Sequence, residues 1–288
     1  MNIGICTTDF TCMPMDTLLS KIENLGFTSM QLAFATIEEC GFVPDGNCEI
    51  PDGLPEGMAA RIKAAAATHN LKIHCVNGTF NMAHPDPVIR AQSLSRFQGF
   101  AEAVKAVDCK YISLCTGTRN ADYLWAPHPD NGTDSAWQDM ENSMAVIVDI
   151  ARDLDLCLLI ETEASNIVDS PKKALRLIES FGSDHLQIVM DCANLFHIGQ
   201  AQPNKVHQVM DEAFDALKDH IRLAHGKDIR AGAGLDFCGA GLGIIDFPHM
   251  IRRLREIGYN SDMVLHGISD ESDMPRALAY MENIIAEA

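Results

Sequence analysis

A chain of 288 residues, 47% hydrophobic and 22% charged, has the composition of a globular protein long enough to bury a full core, and α/β barrels of this length form one domain. Forty acidic residues against 22 basic ones give a formal net charge of −18, which excludes a phosphate-backbone binder, because such a partner needs clustered Lys and Arg. The same balance favours a neutral ligand over a polyanion. With no basic N-terminal leader and no apolar run near the roughly 18 residues that span a bilayer, the expectation is a cytoplasmic protein with no membrane or nucleic-acid partner.

From the N-terminus, apolar runs rich in Ile, Val, Leu and Cys alternate with amphipathic stretches, which is the pattern of βα repetition and a parallel sheet. The first strand is expected at 2–8. A helix over 16–22 follows, with apolar residues at three and four spacing, and Gly26 stands where a glycine would stop it. The second strand is expected at 28–34 and the third at 72–78, where His74 is a candidate pocket residue. His84, in a His-Pro-Asp run, reads as a cap of the third helix. The fourth strand is expected at 110–117.

Two connections, 35–55 and 118–134, are longer than a barrel needs. Both follow strand C-termini, so both are expected as lids over a pocket. The second carries Arg119, Tyr123, Trp125, His128 and Asn131. A Trp among polar groups suits stacking on a sugar and binding its hydroxyls, which makes Trp125 and His128 candidate substrate contacts; solvated turn chemistry is the alternative.

Four more strands are expected at 157–164, 187–192, 221–227 and 263–267. Ser170 and Pro171 open a helix over 171–178, Asp246, Phe247 and Pro248 open another, and Gly182 and Gly258 stand as stops. Eight strands select a closed barrel over an open sheet: an α/β fold, one (β/α)8 TIM barrel over residues 1–288, with long loops after strands 2 and 4. The last four runs each end in a metal-ligand type, Glu161, Asp191, His225 and His266, separated by 30, 34 and 41 residues. In such a barrel the strand C-termini converge on one face, so these four can meet around a single ion. Glu163, one alternation further, points the same way and competes with Glu161, and Asn166 lies near. The plain alternatives are a solvated strand cap for Glu161 and an Asx turn for Asp191.

At IETEASNIVDSPKKALRLIES, VMDCANLFHIGQ, AHGKDIRAG and GLGIIDF the chain resembles the xylose-isomerase-like TIM-barrel superfamily, the sugar phosphate isomerase/epimerase group; NGTFNMAHPDPVIR and YISLCTGTRN are similar to its third and fourth units. The resemblance covers nearly the whole chain. Its motifs point to the superfamily and leave the substrate open, because the scaffold hosts epimerases, isomerases, dehydratases and phosphodiesterases. It implies a divalent ion, manganese first and zinc, magnesium or cobalt as alternatives, held by Glu161, Asp191 and His225. In the family's epimerases a second Glu ends strand eight and acts as partner acid/base, and His266 stands there instead. His266 is then a fourth ligand, the favoured reading, or it is free of the ion and acts as the second acid/base, because a coordinated imidazole has no lone pair left for a proton. Glu271 is a further candidate for that role.

Asn194 stands where many relatives carry His, and would donate to a sugar hydroxyl without shuttling protons. Asp228 is expected to accept the second imidazole N–H of His225, and Lys227 to hold an enediolate oxygen or to lie on the surface. His197 is a candidate substrate contact, while His69, His185, His207, His220 and His249 read as solvated.

The resemblance and these residues imply a metal-dependent isomerase or epimerase acting on a keto-sugar or related polyol through an enediolate, with Glu161 and His266 as catalytic groups. A metal-dependent lyase or dehydratase on a keto-glycoside or inosose-like substrate is the alternative, with His266 as general acid. A non-catalytic sugar-binding relic is the third. A nuclease is discounted on charge. No G-x-x-x-x-G-K loop occurs, and the GAGLG run lacks the preceding strand that a nucleotide fingerprint requires. The expected partner is a small-molecule sugar, and a homo-oligomer is compatible. Ten cysteines without a C-x-x-C pair read as core residues of a reducing compartment.

Overall fold

The computed structural model describes residues 1–287. The apolar runs form β1 (Ile3–Cys6), β2 (Ser29–Leu32), β3 (Lys72–Asn77), β4 (Tyr111–Leu114), β5 (Cys157–Glu161), β6 (Leu186–Asp191), β7 (Ile221–Ile229), β8 (Phe237–Gly239) and β9 (Met263–Leu265). All but β8 are parallel neighbours in chain order, and β9 pairs with both β7 and β1, closing an eight-stranded barrel. The amphipathic stretches form α1 (Met15–Asn24), α2 (Met58–Thr68), α3 (Pro87–Ala106), α4 (Asp134–Leu154), α5 (Pro171–Phe181), α6 (Val206–Leu217), α7 (Phe247–Glu256) and α8 (Met274–Glu287) around it. This is the expected (β/α)8 TIM barrel, with every expected strand in place. β8, an antiparallel hairpin partner of β7 with Asp228 opposite Cys238, was not foreseen, because three residues carry no detectable period.

Helix ends follow local chemistry. Asp86, Thr133 and Asp246 cap α3, α4 and α7 by accepting backbone N–H bonds, and Pro87 and Pro171 take first-turn positions where no donor is needed. Ser170 flanks α5, but its hydroxyl makes no capping bond. Among the described residues no helix is long and apolar enough to cross a membrane.

Two cores result. The larger lies between strands and helices. The smaller, inside the barrel, stacks Cys6, Cys75, Cys157, Leu159, Val189, Leu223 and Val264, small side chains that fit the narrow lumen. Nine of the ten cysteines are buried, as the apolar runs around them require.

That inner stack fixes what points at the mouth. Side chains alternate along a strand, so every second residue beyond the stack stays inward. From Leu159 this gives Glu161 and Glu163; from Val189, Asp191; from Leu223, His225 and Lys227; from Val264, His266. Parallel register then sets the heights, with Asp191 opposite His225 and Glu161 opposite Val189, one step below Asp191.

Candidate functional site

Glu161, Asp191 and His225 are buried, and each offers one ligand atom such that all lie within 4.8 Å of one another. His225 Nδ1 stands 3.3 Å from Asp191 Oδ2 and 3.4 Å from Glu161 Oε1. Its other nitrogen is committed elsewhere: Nε2 donates to Gln31 Oε1 at 2.9 Å, which leaves Nδ1 as the nitrogen that faces the carboxylates and that, once deprotonated, would ligate an ion. Asp191 Oδ1 accepts backbone N–H bonds from Ala193 at 2.9 Å and Asn194 at 3.2 Å, so Oδ2 alone faces inward. One imidazole and two carboxylates suit a divalent ion of the manganese or zinc type.

The electrostatics agree with a cation-binding pocket. Burial works against a charged His225, yet Glu161 and Asp191 outweigh it and raise its pKa to about 9. Burial likewise opposes ionisation of Asp191, but Lys227 and His225 hold that carboxyl well below the usual range. For Lys227, burial is again the largest effect and again loses, to the pull of Asp191, Glu163 and Glu161, so its pKa is raised.

Of these groups Glu161 and Lys227 line a cavity of about 760 Å³ at the strand C-termini, while Asp191 and His225 are fully buried. Asn194 donates from Nδ2 to Glu161 Oε1 at 2.5 Å and accepts at Oδ1 from Lys227 Nζ at 2.7 Å, which chains the lysine to the floor rather than leaving it on the surface. Glu163 lines the wall and accepts from Ser165, and burial pushes its pKa up. His197 also lines the cavity. His266 stands outside the trio: its ring meets that of His225 edge-on at 5.6 Å, and its Nδ1 bonds Asp9 Oδ1 at 3.0 Å. Asp9 Oδ2 is held by the Ile268 N–H at 2.9 Å. Burial disfavours the imidazolium, but Asp9 more than offsets this and lifts the pKa of His266 well above its usual value.

The long loops do meet over the mouth. Leu124 N donates to Gly46 O, Asn47 Nδ2 donates to Ala121 O, and Asn81 bridges both loops. Gly117 sits at a φ of +76° against Asn81, where a side chain would be strained and would collide. Trp125 lines the cavity and its Nε1 donates to Glu49 Oε1 at 3.1 Å.

Several expected contacts lie elsewhere. His128 does not line the cavity but an outer groove, where its Nδ1 accepts from Asp130 N. Asp228 alternates out of phase with His225 and Lys227 and cannot reach the imidazole; Gln31 takes the place expected of it. Instead Asp228 accepts N–H bonds from Ile229, Gly241, Gly243 and Ile245. His74 is out of phase with Cys75 and Asn77, and pairs with Asp262 at 3.1 Å instead of lining the cavity. His84 does not cap α3, which Asp86 does; it accepts the Asp86 N–H and bonds Ala121 O. Glu271 pairs with Lys21. Asn166 is structural, holding Gly117 N and Leu124 O.

Gln31, Asp9 and Glu49 line the cavity and were missed. Gln31 was detectable, as a polar residue in the second strand run, next to the last residue of β2. Asp9 and Glu49 sit beyond strand ends in segments without a period, where no local pattern distinguishes them from solvated acids.

In sequence, residues 19–284 match the family described as xylose isomerase-like TIM barrel. No curated protein matches in sequence. Among solved structures, a 3-keto-D-glucoside 4-epimerase from E. coli superposes with a TM-score of 0.72 at 17% identity, over 98% of this chain and 99% of that one. The IolI protein with a bound zinc atom gives 0.73 at 15% identity, over 100% and 99%. A probable 3-DHS dehydratase of Bacillus anthracis gives 0.69 at 14% identity, over 98% of each chain. At these identities the likeness is one of fold.

Proposed function

The chain belongs to the xylose isomerase-like TIM barrel family, and from that premise we propose that it is a divalent-metal-dependent isomerase or epimerase of a keto-sugar or related polyol. The observation that carries the reading is the convergence of Glu161, Asp191 and His225 on one point at the barrel mouth. A zinc-bearing protein and a sugar epimerase among the structural neighbours support it.

Glu161, Asp191 and His225 would hold the ion. When bound, it would polarise the substrate carbonyl and offset negative charge developing on oxygen. Glu161 removes the proton from the carbon beside the carbonyl, and Asn194, bonded to it, fixes the rotamer from which it does so. Lys227 faces the same floor and holds the enediolate oxygen. His266, with Nδ1 anchored on Asp9, presents Nε2 as the second proton carrier, free of the ion, in the place where a second carboxylate would act in a two-carboxylate epimerase. Trp125 positions the substrate from the loop side.

The test is solvent exchange. With manganese and a panel of ketoses in deuterated buffer, deuterium should enter at the carbon beside the carbonyl, and chelation should abolish it. E161Q should lower the rate about a hundredfold or more. Manganese at a hundred times its Kd should stabilise the fold by about 2.7 kcal/mol, and D191N should remove that effect. A wild-type protein that neither binds a divalent ion nor exchanges any ketose would sink the proposal.

A second reading has one feature in its favour. An imidazole backed by a carboxylate is a competent general acid for expelling a β-oxygen, which suits a dehydratase, and one structural neighbour is a probable dehydratase. An ultraviolet enone signal separates the two reactions.

A further inference from the structure

The cavity wall carries more negative charge than proton transfer requires. Besides Glu161, it includes Asp9, Glu49 and Glu163, and among the described residues no arginine lines it. The lining lysine is enclosed. Lys227 Nζ donates to Asn194 and lies 3.9 Å from the centroid of the Phe237 ring, and its charge is drawn toward Glu161, Glu163 and Asp191. A divalent ion would offset Glu161 and Asp191, Lys227 lies in the field of Glu163 and His266 pairs with Asp9, which leaves Glu49 as the lining carboxylate without a cationic partner. A phosphate or carboxylate substituent would meet like charge at low dielectric and find no guanidinium fork to receive it.

Glu49 is the group on this wall with capacity left over. Asp9 is occupied by His266 and Ile268, and Glu163 by Ser165 and the field of Lys227. Glu49 accepts from two neutral donors, Trp125 Nε1 at 3.1 Å and Asn77 Nδ2 at 2.7 Å. An ionised carboxylate has about four acceptor positions, so two remain, on a half-buried side chain that lines the cavity. Its backbone is fixed as well: Glu49 N donates to Thr79 O at 3.0 Å, and the Asp45 carboxylate holds the N–H groups of Asn47 and Cys48. A carboxylate held in a fixed place with acceptor positions open to the cavity receives hydroxyl groups and repels anions.

We propose that Glu49 is a specificity-determining residue that receives substrate hydroxyls and restricts this site to uncharged polyhydroxylated carbonyl compounds, bearing neither phosphate nor carboxylate. The proposal rests on the sugar-chemistry reading of the same cavity and narrows it.

The experiment compares matched pairs on the manganese-loaded full chain: neutral ketoses, D-fructose among them, against their terminal phosphate esters. Binding is read by calorimetry and turnover by solvent exchange. The neutral member of a pair should bind at least about tenfold tighter, the worth of one charge-assisted hydrogen bond. E49Q should raise KM for the neutral sugar about tenfold with a smaller change in kcat, and should narrow the discrimination against the phosphate ester by a similar factor. Equal or tighter binding of the phosphate esters, or binding of no neutral ketose, overturns the proposal. The wild-type comparison decides it even where E49Q does not fold. Exchange with phosphate esters alone would overturn this inference and leave proton transfer standing; tight neutral-sugar binding without exchange would do the reverse.

Discussion

His225 concentrates the consequences of single contacts. Its imidazole can serve an ion only through Nδ1, and that depends on Nε2–H having an acceptor in Gln31. Replacing Gln31 by Leu keeps the size of the side chain but removes the acceptor, so the ring loses both its tautomer and its orientation. Q31L should weaken manganese binding about 10- to 100-fold while leaving the folded barrel intact, read by metal titration and circular dichroism. An unchanged affinity would mean that the strand backbone alone orients the ring. Glu161, Asp191 and His225 were legible because each closes an apolar run, and a charge in that position has to be compensated. Gln31 closes no run, and its role exists only because β2 and β7 face each other across the barrel.

At the scale of elements, the segment from β7 to α7 shows how a strand is terminated without losing its direction. The residues Lys227 and Asp228 point to opposite faces, one into the cavity and the other under the β7–β8 hairpin. Asp228 gathers four backbone N–H groups, and Gly243 is required there because a Cβ would run into the carboxylate and the Ile229 carbonyl. D228A would leave these donors without partners in a buried place and should cost at least about 3 kcal/mol in denaturant unfolding. D228N keeps one acceptor oxygen and should lose less. A D228A variant as stable as the parent would show that water satisfies the hairpin. The carboxylate looked like a site residue in the HGKD run because sequence proximity to His225 and alternation away from it cannot both be read from four letters.

For the whole molecule, the barrel is closed at its floor by charge. Asp262, just ahead of β9, takes Asn2 Nδ2 at 3.1 Å, His74 at 3.1 Å and Lys72 at 3.3 Å, joining the last strand to the first and third. Burial opposes ionisation of Asp262, yet His74 and Lys72 hold its pKa well below the ordinary carboxylate range. The folded value thus lies under the unfolded one of about 3.9. The stabilisation is complete above that value and is lost as pH falls through the folded pKa. Unfolding free energy should therefore drop below about pH 4, and D262N, less stable at pH 7, should show a shallower drop, measured by urea titration at several pH values. Parallel acid profiles for the two proteins would count against this role.

The sequence by itself determined the barrel, through eight apolar runs at the spacing of βα units, and it marked Glu161, Asp191 and His225, because those features are local and periodic. Only the tertiary structure decided which nitrogen of His225 is free, what anchors His266 and which acid faces the cavity from a loop. His225 and Gln31 are 194 positions apart, and His266 and Asp9 are 257 apart. Such pairs come into being when the last strand meets the first, and no periodicity along the chain records that meeting.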